Sequence, residues 1–194
     1  MANKLFYSQK NLSSVATVTT ISEGKYEIYH RGIILENTDE LVREAYSHIP
    51  EELLNSFYGN GCHFVTVGIE EFGLDKIYSG VTLHNIYECV GITVRCDPEA
   101  INIPITICHE YGHYLDSLTG ASSTDEWAQI CEEEYPDSRL TGYYVPPEEY
   151  FAEIFALHCY SEIPFAIAQR ENCPKSYEYM DRIVNELIAE TQNP

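Results

Sequence analysis

The stretch ITICHEYGHYLDS, residues 105–117, combines an apolar pattern with two regularly spaced histidines. Apolar or small residues recur here at alternating intervals of four and three positions: Ile101, Ile105, Cys108, Gly112 and Leu115. This period is that of one buried face of an amphipathic helix. The stretch therefore predicts a helix that packs one side into the core and leaves another side for polar residues.

The two histidines of this stretch point to a metal site. His109 and His113 stand four residues apart, so their side chains project from one helix face at neighbouring heights. Asp116 continues the same line, and we expect it to support the site from behind the ligands. Neutral imidazoles suit zinc, and we predict a zinc site on this face.

Glu110 follows the first histidine directly, a little over a quarter of a helical turn away. From there a carboxylate can reach a zinc-activated water without displacing it. It would take a proton as that water attacks a peptide carbonyl. The pattern H-E-x-x-H thus predicts Glu110 as a general base.

A third ligand has to come from elsewhere in the chain. Positions 116 and 119 are Asp and Thr, which excludes the metzincin pattern with its third histidine. A later predicted helix, PPEEYFAEIFALHCY at 146–160, offers three carboxylates: Glu148, Glu149 and Glu153. Glu149 and Glu153 share a face, so one could bind the metal while the other orients a histidine. Acidic residues in a first helical turn are also favoured by the helix dipole alone, and the choice of ligand stays open at this point.

The rest of the chain predicts an α+β fold. Three segments are rich in β-branched and aromatic residues and are typical of strands: KYEIYHRGIIL (25–35), HFVTVGI (63–69) and GITVRCD (91–97). A helix is predicted from Thr38 with a break at Pro50, and a last helix includes Met180 and Leu187. The 194 residues fit one domain, 1–194, with a strand-rich part (1–98) that includes a helical segment, and a helical part (99–194) carrying the zinc site.

Charge restricts the partners. The chain has 31 acidic and 11 basic residues, a net charge of -20. This field disfavours nucleic acid and anionic membranes and favours a basic peptide. The acidic run at 132–134 is predicted to be a solvated face.

Cysteine use and the N-terminal residues bear on the compartment. The 7 cysteines are odd in number and form no C-x-x-C pair, which favours reduced thiols. MANKLFYSQK and the residues after it lack a signal-peptide pattern, and no apolar run of membrane-spanning length follows. We expect a cytoplasmic protein; one exported by a non-classical route would have the same features.

Three segments carry a family resemblance. HEYGHYLDSLTG resembles the zinc-binding helix of the catalytic domain of anthrax lethal factor and of the related Pro-Pro endopeptidases. EEYFAEIFALH resembles their third-ligand helix, and ENCPKSYEYMDRIVNEL resembles their closing helix. The three matches occur in the same order and cover roughly the C-terminal half of the chain.

The resemblance implies a gluzincin-type, zincin-like fold and endopeptidase activity on an extended peptide. Carried over by position, one Zn²⁺ per chain would be held by His109, His113 and Glu149. Glu110 would be the general base, and Glu153 would lie behind the ligands. The strand 91–97 would be the sheet edge along which substrate adds as a further strand.

One position departs from the family pattern. The family has a tyrosine seven residues before the ligand glutamate, whose hydroxyl stabilises the developing oxyanion. That position is Gly142 here, followed by Tyr143 and Tyr144. A shift of one residue could be absorbed by the two prolines that follow, and we assign the role to Tyr143 with Tyr144 as the alternative.

These observations predict a zinc metalloendopeptidase that cleaves a protein or peptide substrate, with a basic peptide favoured by charge. A first alternative is an H-E-x-x-H peptidase of the cytoplasmic type that cleaves phage repressors. A second is a zinc-containing binding or immunity module without catalysis, for which a general base at Glu110 would have no use. The sequence predicts neither the bond that is cut, nor the oligomeric state, nor whether the role is toxin-like, regulatory or phage-related.

Overall fold

A mixed sheet of five strands forms one layer of the protein. The computed structural model describes residues 17–22, 24–72, 79–84, 89–138 and 146–192. The strands are β1 (Thr17–Ile21), β2 (Tyr26–Arg31), β3 (His63–Val67), β4 (Gly80–His84) and β5 (Cys89–Arg95). The three strands expected from the sequence all form, with β2 shorter than the segment predicted for it. The α+β class is thereby confirmed.

Helices supply the other layer. Those of the first half are α1 (Thr38–His48), α2 (Glu51–Gly59) and the short α3 (Ile69–Phe72). The second half contains α4 (Ile103–Thr119), α5 (Asp125–Glu134), α6 (Pro147–Cys159), α7 (Pro164–Asn172) and α8 (Pro174–Gln192). Pro50 separates α1 from α2, as the sequence predicts, because proline lacks the N–H that a continuous helix would need.

The order of the strands corrects one expectation. The sheet runs β1-β2-β3-β5-β4, with β2, β3 and β5 parallel and the two outer strands antiparallel to their neighbours. The prediction that the segment 91–97 forms the sheet edge is wrong, because β5 lies between β3 and β4. The edge of the described sheet on this side is β4, whose five residues were too few to show a strand pattern.

The core lies between the inner face of the sheet and the helices. Ile28, Phe64, Ile92 and Val94 point from three strands toward the helices and are fully buried. One cluster of buried apolar residues runs from Ile21 in β1 to residues of α8, so both halves of the chain contribute to it. The single-domain boundary 1–194 itself stays a prediction.

The buried face of α4 is wider than the apolar pattern indicated. Ile101 precedes the helix and is 72% exposed, so its place in that pattern is wrong. Ile107, Tyr111 and Tyr114 are buried beside Cys108 and Leu115. Helices α1 and α6 and the sheet all contact α4, so a single stripe could not cover its partners.

Glu134 corrects the prediction for the acidic run. Its side chain is buried rather than solvated, and its two carboxylate oxygens accept hydrogen bonds from the backbone N–H groups of Lys175 and Ser176 and from the Ser176 hydroxyl. These N–H groups belong to the first turn of α8, where they have no partner within the helix. Glu134 therefore caps α8, while the neighbouring Glu133 is an exposed ion-pair partner of Lys175.

Six cysteines whose side chains the structure describes are free thiols, and five of these are buried. None of the described helices is both long enough and apolar enough to cross a membrane.

Candidate metal centre

Helix α4 carries both histidines on the side that faces α6. Pro104 lies in its first turn, and Gly120 ends it with a left-handed φ of 63° while its N–H bonds to the Asp116 carbonyl. This conformation is a common helix terminator and is easily adopted by glycine. Between these ends the rings of His109 and His113 lie 4.9 Å apart, centroid to centroid.

The two helices approach closely at Gly112. A Cβ atom at this position would lie 2.6 Å from the Cα of Ala152 on α6, closer than such atoms approach in proteins. Gly112 and Ala152 thus mark the contact point of the helices, and larger side chains there would separate the axes. Since His113 follows Gly112 and Glu153 follows Ala152, this contact brings the polar side chains together.

The start of α6 is fixed from α5. Trp127 is fully buried, its ring stacks on Tyr150 at 5.3 Å, and its indole N–H donates to the Pro147 carbonyl at 2.9 Å. The buried residues of α6, which include Phe151, Ile154 and Phe155, hold the rest of the helix in the core. Glu149, two residues after Pro147, is therefore placed by a well-packed first turn.

Three side chains converge between α4 and α6. The Nε2 atom of His109 lies 3.3 Å from one carboxylate oxygen of Glu149, and the Nε2 atom of His113 lies 3.5 Å from the other. One ligand atom from each residue lies within 4.8 Å of the others. Two imidazole nitrogens and a carboxylate oxygen form a set that could hold a metal ion.

Glu153 occupies a different position. Its carboxylate lies 3.1 Å from the Nδ1 atom of His109, on the ring nitrogen opposite the one near Glu149. A carboxylate on this second nitrogen fixes the tautomer and the orientation of a metal-binding imidazole. Of the carboxylates on α6 that the sequence left open, Glu149 is the one in the ligand set; Glu148 is exposed.

His109 and Glu149 each shift the pKa of the other. Burial disfavours protonation of His109, but its hydrogen bonds to Glu149 and Glu153 outweigh this effect and raise its pKa to about 10. Hydrogen bonds from His109 and His113 hold the pKa of Glu149 well below its ordinary value. A positive charge is thus favoured at this point, and a bound metal ion would supply it in place of the proton.

Glu110 lies on the neighbouring side of α4, against strand β4. It is 5% exposed, and burial raises the pKa of its carboxyl group, an effect that His109 and Thr82 oppose. The Thr82 hydroxyl lies 2.7 Å from Glu110 Oε2 and 2.8 Å from the Glu110 carbonyl oxygen. Gly80 is so close that a Cβ there would lie 2.6 Å from Glu110 Oε1.

Asp116, predicted to support the site from behind the ligands, contacts the turn after α4 instead. Both carboxylate oxygens of Asp116 accept hydrogen bonds from Ser122, one from its backbone N–H and one from its hydroxyl. Asp116 thus secures the turn after α4. Tyr143, together with its alternative Tyr144, falls in 139–145, outside the described residues.

Sequence reasoning missed the contacts of Glu110 with β4. No pattern in GVTLH marks Gly80 or Thr82 as partners of a helix residue about 30 positions later, and the strand itself was not predicted. Only the three-dimensional pairing of β4 with β5 brings them to α4.

Comparison with solved structures relates the fold to a known peptidase. The structure of the Pro-Pro endopeptidase from Paenibacillus alvei matches with a TM-score of 0.62 and 22% sequence identity, over 80% of this chain and 95% of that one. At this identity the likeness concerns the fold. No protein-family model and no curated protein sequence matches the chain.

Proposed function

We propose that this protein is a zinc-dependent metalloendopeptidase. The observation that carries the proposal is the convergence of His109, His113 and Glu149, with Glu110 next to the first ligand in sequence. A structural zinc site is commonly closed by four protein ligands, whereas catalytic sites use three and leave a position for water or substrate. The three-residue set found within the described residues fits the catalytic type.

The donor set suits zinc in its chemistry. Two neutral imidazoles and one carboxylate would hold one Zn²⁺ per chain, with Glu153 orienting His109. The bound ion would acidify a water molecule and polarise a peptide carbonyl. The Glu149 side chain is 46% exposed, so water and a peptide can reach this side of the set.

Glu110 would do the proton work of the reaction. As a carboxylate it accepts a proton from the attacking water, and as a carboxylic acid it can give that proton to the amine that leaves. Burial raises the pKa of Glu110, and a carboxyl group with a raised pKa takes up a proton more readily. We keep Tyr143 as the proposed hydroxyl donor to the oxyanion, with Tyr144 as its alternative.

Strand β4 supports a peptide-binding role for the sheet edge. The Arg95 N–H donates to the Ser79 carbonyl, which directs the backbone of Ser79 toward β5. Along an antiparallel strand the backbone N–H and C=O groups of successive residues point alternately toward and away from the partner strand. The N–H and C=O groups of Gly80 and Thr82 therefore point away from β5. An extended peptide could pair with these groups, and we propose β4 in place of the strand first expected as the substrate edge.

Charge and the structural comparison guide the choice of substrates. The net charge of -20 favours peptides with basic residues. The comparison protein is named as a Pro-Pro endopeptidase, and peptides with Pro-Pro bonds therefore belong among the candidates. From the three matching segments we propose that the protein belongs to the wider group that includes lethal factor. From the sequence we also propose a single domain and a cytoplasmic location.

The test is cleavage of a peptide library, with basic and Pro-Pro peptides included, by the zinc-loaded protein. We expect specific cleavage that a chelator stops and added zinc restores. The matched variant Glu110→Gln should keep its zinc and lose about 10²- to 10⁴-fold in rate. Zinc binding without cleavage of any peptide would instead favour the non-catalytic binding module, and cleavage by Glu110→Gln at the wild-type rate would remove the role given to Glu110.

A further inference from the structure

The carboxylate of Glu110 is held by a strand rather than by its own helix. Thr82 Oγ1 on β4 contacts Glu110 Oε2 at 2.7 Å and the Glu110 carbonyl oxygen at 2.8 Å. One hydroxyl therefore engages both the side chain and the backbone of the same residue. Because Glu110 is 5% exposed, water has little access to replace this contact.

Gly80 holds the carboxylate from its other side. A Cβ at Gly80 would lie 2.6 Å from Glu110 Oε1 and 2.7 Å from its Cγ, so any side chain here would displace Glu110. The φ of Gly80 is not in the left-handed region, which leaves this close approach as the reason for glycine. Together Gly80 and Thr82 define the position of both carboxylate oxygens.

The same two residues border the sheet edge. Their side-chain positions share the inner face of the sheet with Ile92 and Val94, whereas their backbone groups point away from β5. Val81 and Leu83 alternate with them and lie on the opposite face. Thr82 therefore faces the general base with its side chain and the proposed peptide site with its backbone.

We propose that Thr82 and Gly80 are positioning residues for Glu110, so that the strand proposed to bind substrate also sets the geometry of the base. This inference rests on the proposed peptidase function and deepens it. It places Thr82 between the β4 edge and Glu110, since its side chain contacts Glu110 and its backbone lies at that edge.

A hydroxyl group is better suited to hold Glu110 in place than a group that can only donate hydrogen bonds. It has one hydrogen to donate and lone pairs to accept. When Glu110 is a carboxylate, Thr82 donates to Oε2. After Glu110 has taken a proton from water, the carboxyl group can donate to Thr82, which donates in turn to the Glu110 carbonyl oxygen. Thr82 can thus stay in place through both stages of the reaction.

Kinetics of three variants on the best-cleaved library peptide test the proposal. Thr82→Val keeps the side-chain shape and removes the hydroxyl, and we expect kcat to fall about 10- to 100-fold with KM changed less than about threefold and zinc content unchanged. Thr82→Ser restores the hydroxyl and should recover most of kcat. Thr93→Val is the matched control, because Thr93 pairs with Val81 on the opposite sheet face. This variant should lose little of the wild-type kcat.

Gly80→Ala gives a second, steric test. The added methyl group should displace the Glu110 carboxylate and lower kcat about 100-fold, with zinc still bound. Equal kcat for Thr82→Val and wild type, or a Thr82→Ser protein as impaired as Thr82→Val, would overturn the proposal while the peptidase function stood. Absence of cleavage by zinc-loaded wild type would overturn both, and is recognised without any variant.

A measurement without catalysis completes the test. In the metal-free protein the melting temperatures of Thr82→Val, Glu110→Gln and the double variant form a cycle. We expect the two shifts to be non-additive, because each substitution alters the same hydrogen bond. The cycle of Thr93→Val with Glu110→Gln should be additive. Additive shifts for Thr82 as well would contradict the contact on which the positioning role depends.

Discussion

Two regions of the molecule surround Glu110, and they differ in how they are built. The helices α4 and α6 pack at Gly112 and Ala152 and bring together His109, His113 and Glu149, the set that could hold a metal ion. Strand β4 supplies no ligand to this set; it holds the carboxylate of Glu110 through Thr82 and Gly80. We therefore propose that the helix pair binds the metal and that the strand positions Glu110 as the general base.

This difference separates two measurable properties. Substitutions in the helix pair should change metal affinity first and activity as a result. Substitutions in β4 should change turnover at constant metal content.

The largest effect is expected for Glu149→Ala. This change removes one of the three proposed metal ligands, and zinc affinity should fall more than about 100-fold, beyond the range typical of residues behind the ligands. Glu148→Ala is the matched control, because the neighbouring Glu148 is exposed and outside the ligand set. Competition with a chromophoric chelator measures both affinities. Equal affinities in the two variants would move the third ligand elsewhere.

A smaller effect is expected for Glu153→Gln. The amide keeps the size of the side chain and removes the charge beside His109 Nδ1, and zinc affinity should fall about 10- to 100-fold. The same chelator competition measures it. A change as large as that of Glu149→Ala would instead indicate that Glu153 binds the metal itself.

The smallest effect is expected at the helix contact. Gly112→Ala forces a methyl group against the Ala152 backbone and should destabilise the protein by about 1–3 kcal/mol in chemical denaturation. Gly59→Ala is the control, because the added methyl group at the end of α2 meets no atom within 4 Å. That variant should be neutral or more stable by up to about 1 kcal/mol. Equal effects in the two variants would remove the close contact of α4 with α6 as the basis of the site.

The helix pair could be predicted from the sequence because its information is local. The spacing of His109 and His113 and the i, i+4 relation of Glu149 and Glu153 follow from helix geometry, and the structure brings these residues together. The choice between Glu149 and Glu153 required distances. The role of Asp116 also required distances, because its carboxylate accepts hydrogen bonds from Ser122 rather than from a residue of the ligand set.

The strand region could not be predicted, because its information is not local. A five-residue edge strand has little pattern of its own, and its partner β5 was expected at the edge in its place. The contact of Thr82 with Glu110 depends on the register of β4 on β5 and on the packing of α4 against both strands. Glu134 is a second example of a contact that depends on the fold, since nothing in the acidic run 132–134 indicates that one of its residues caps α8.

The most direct test of the account is the location of zinc in the protein itself. Crystals of the zinc-loaded protein, measured at the zinc absorption edge, should show one anomalous peak per chain. We expect this peak to lie about 2.0–2.2 Å from His109 Nε2, His113 Nε2 and a Glu149 carboxylate oxygen. No peak after zinc loading, or a peak bound by other residues, would contradict it.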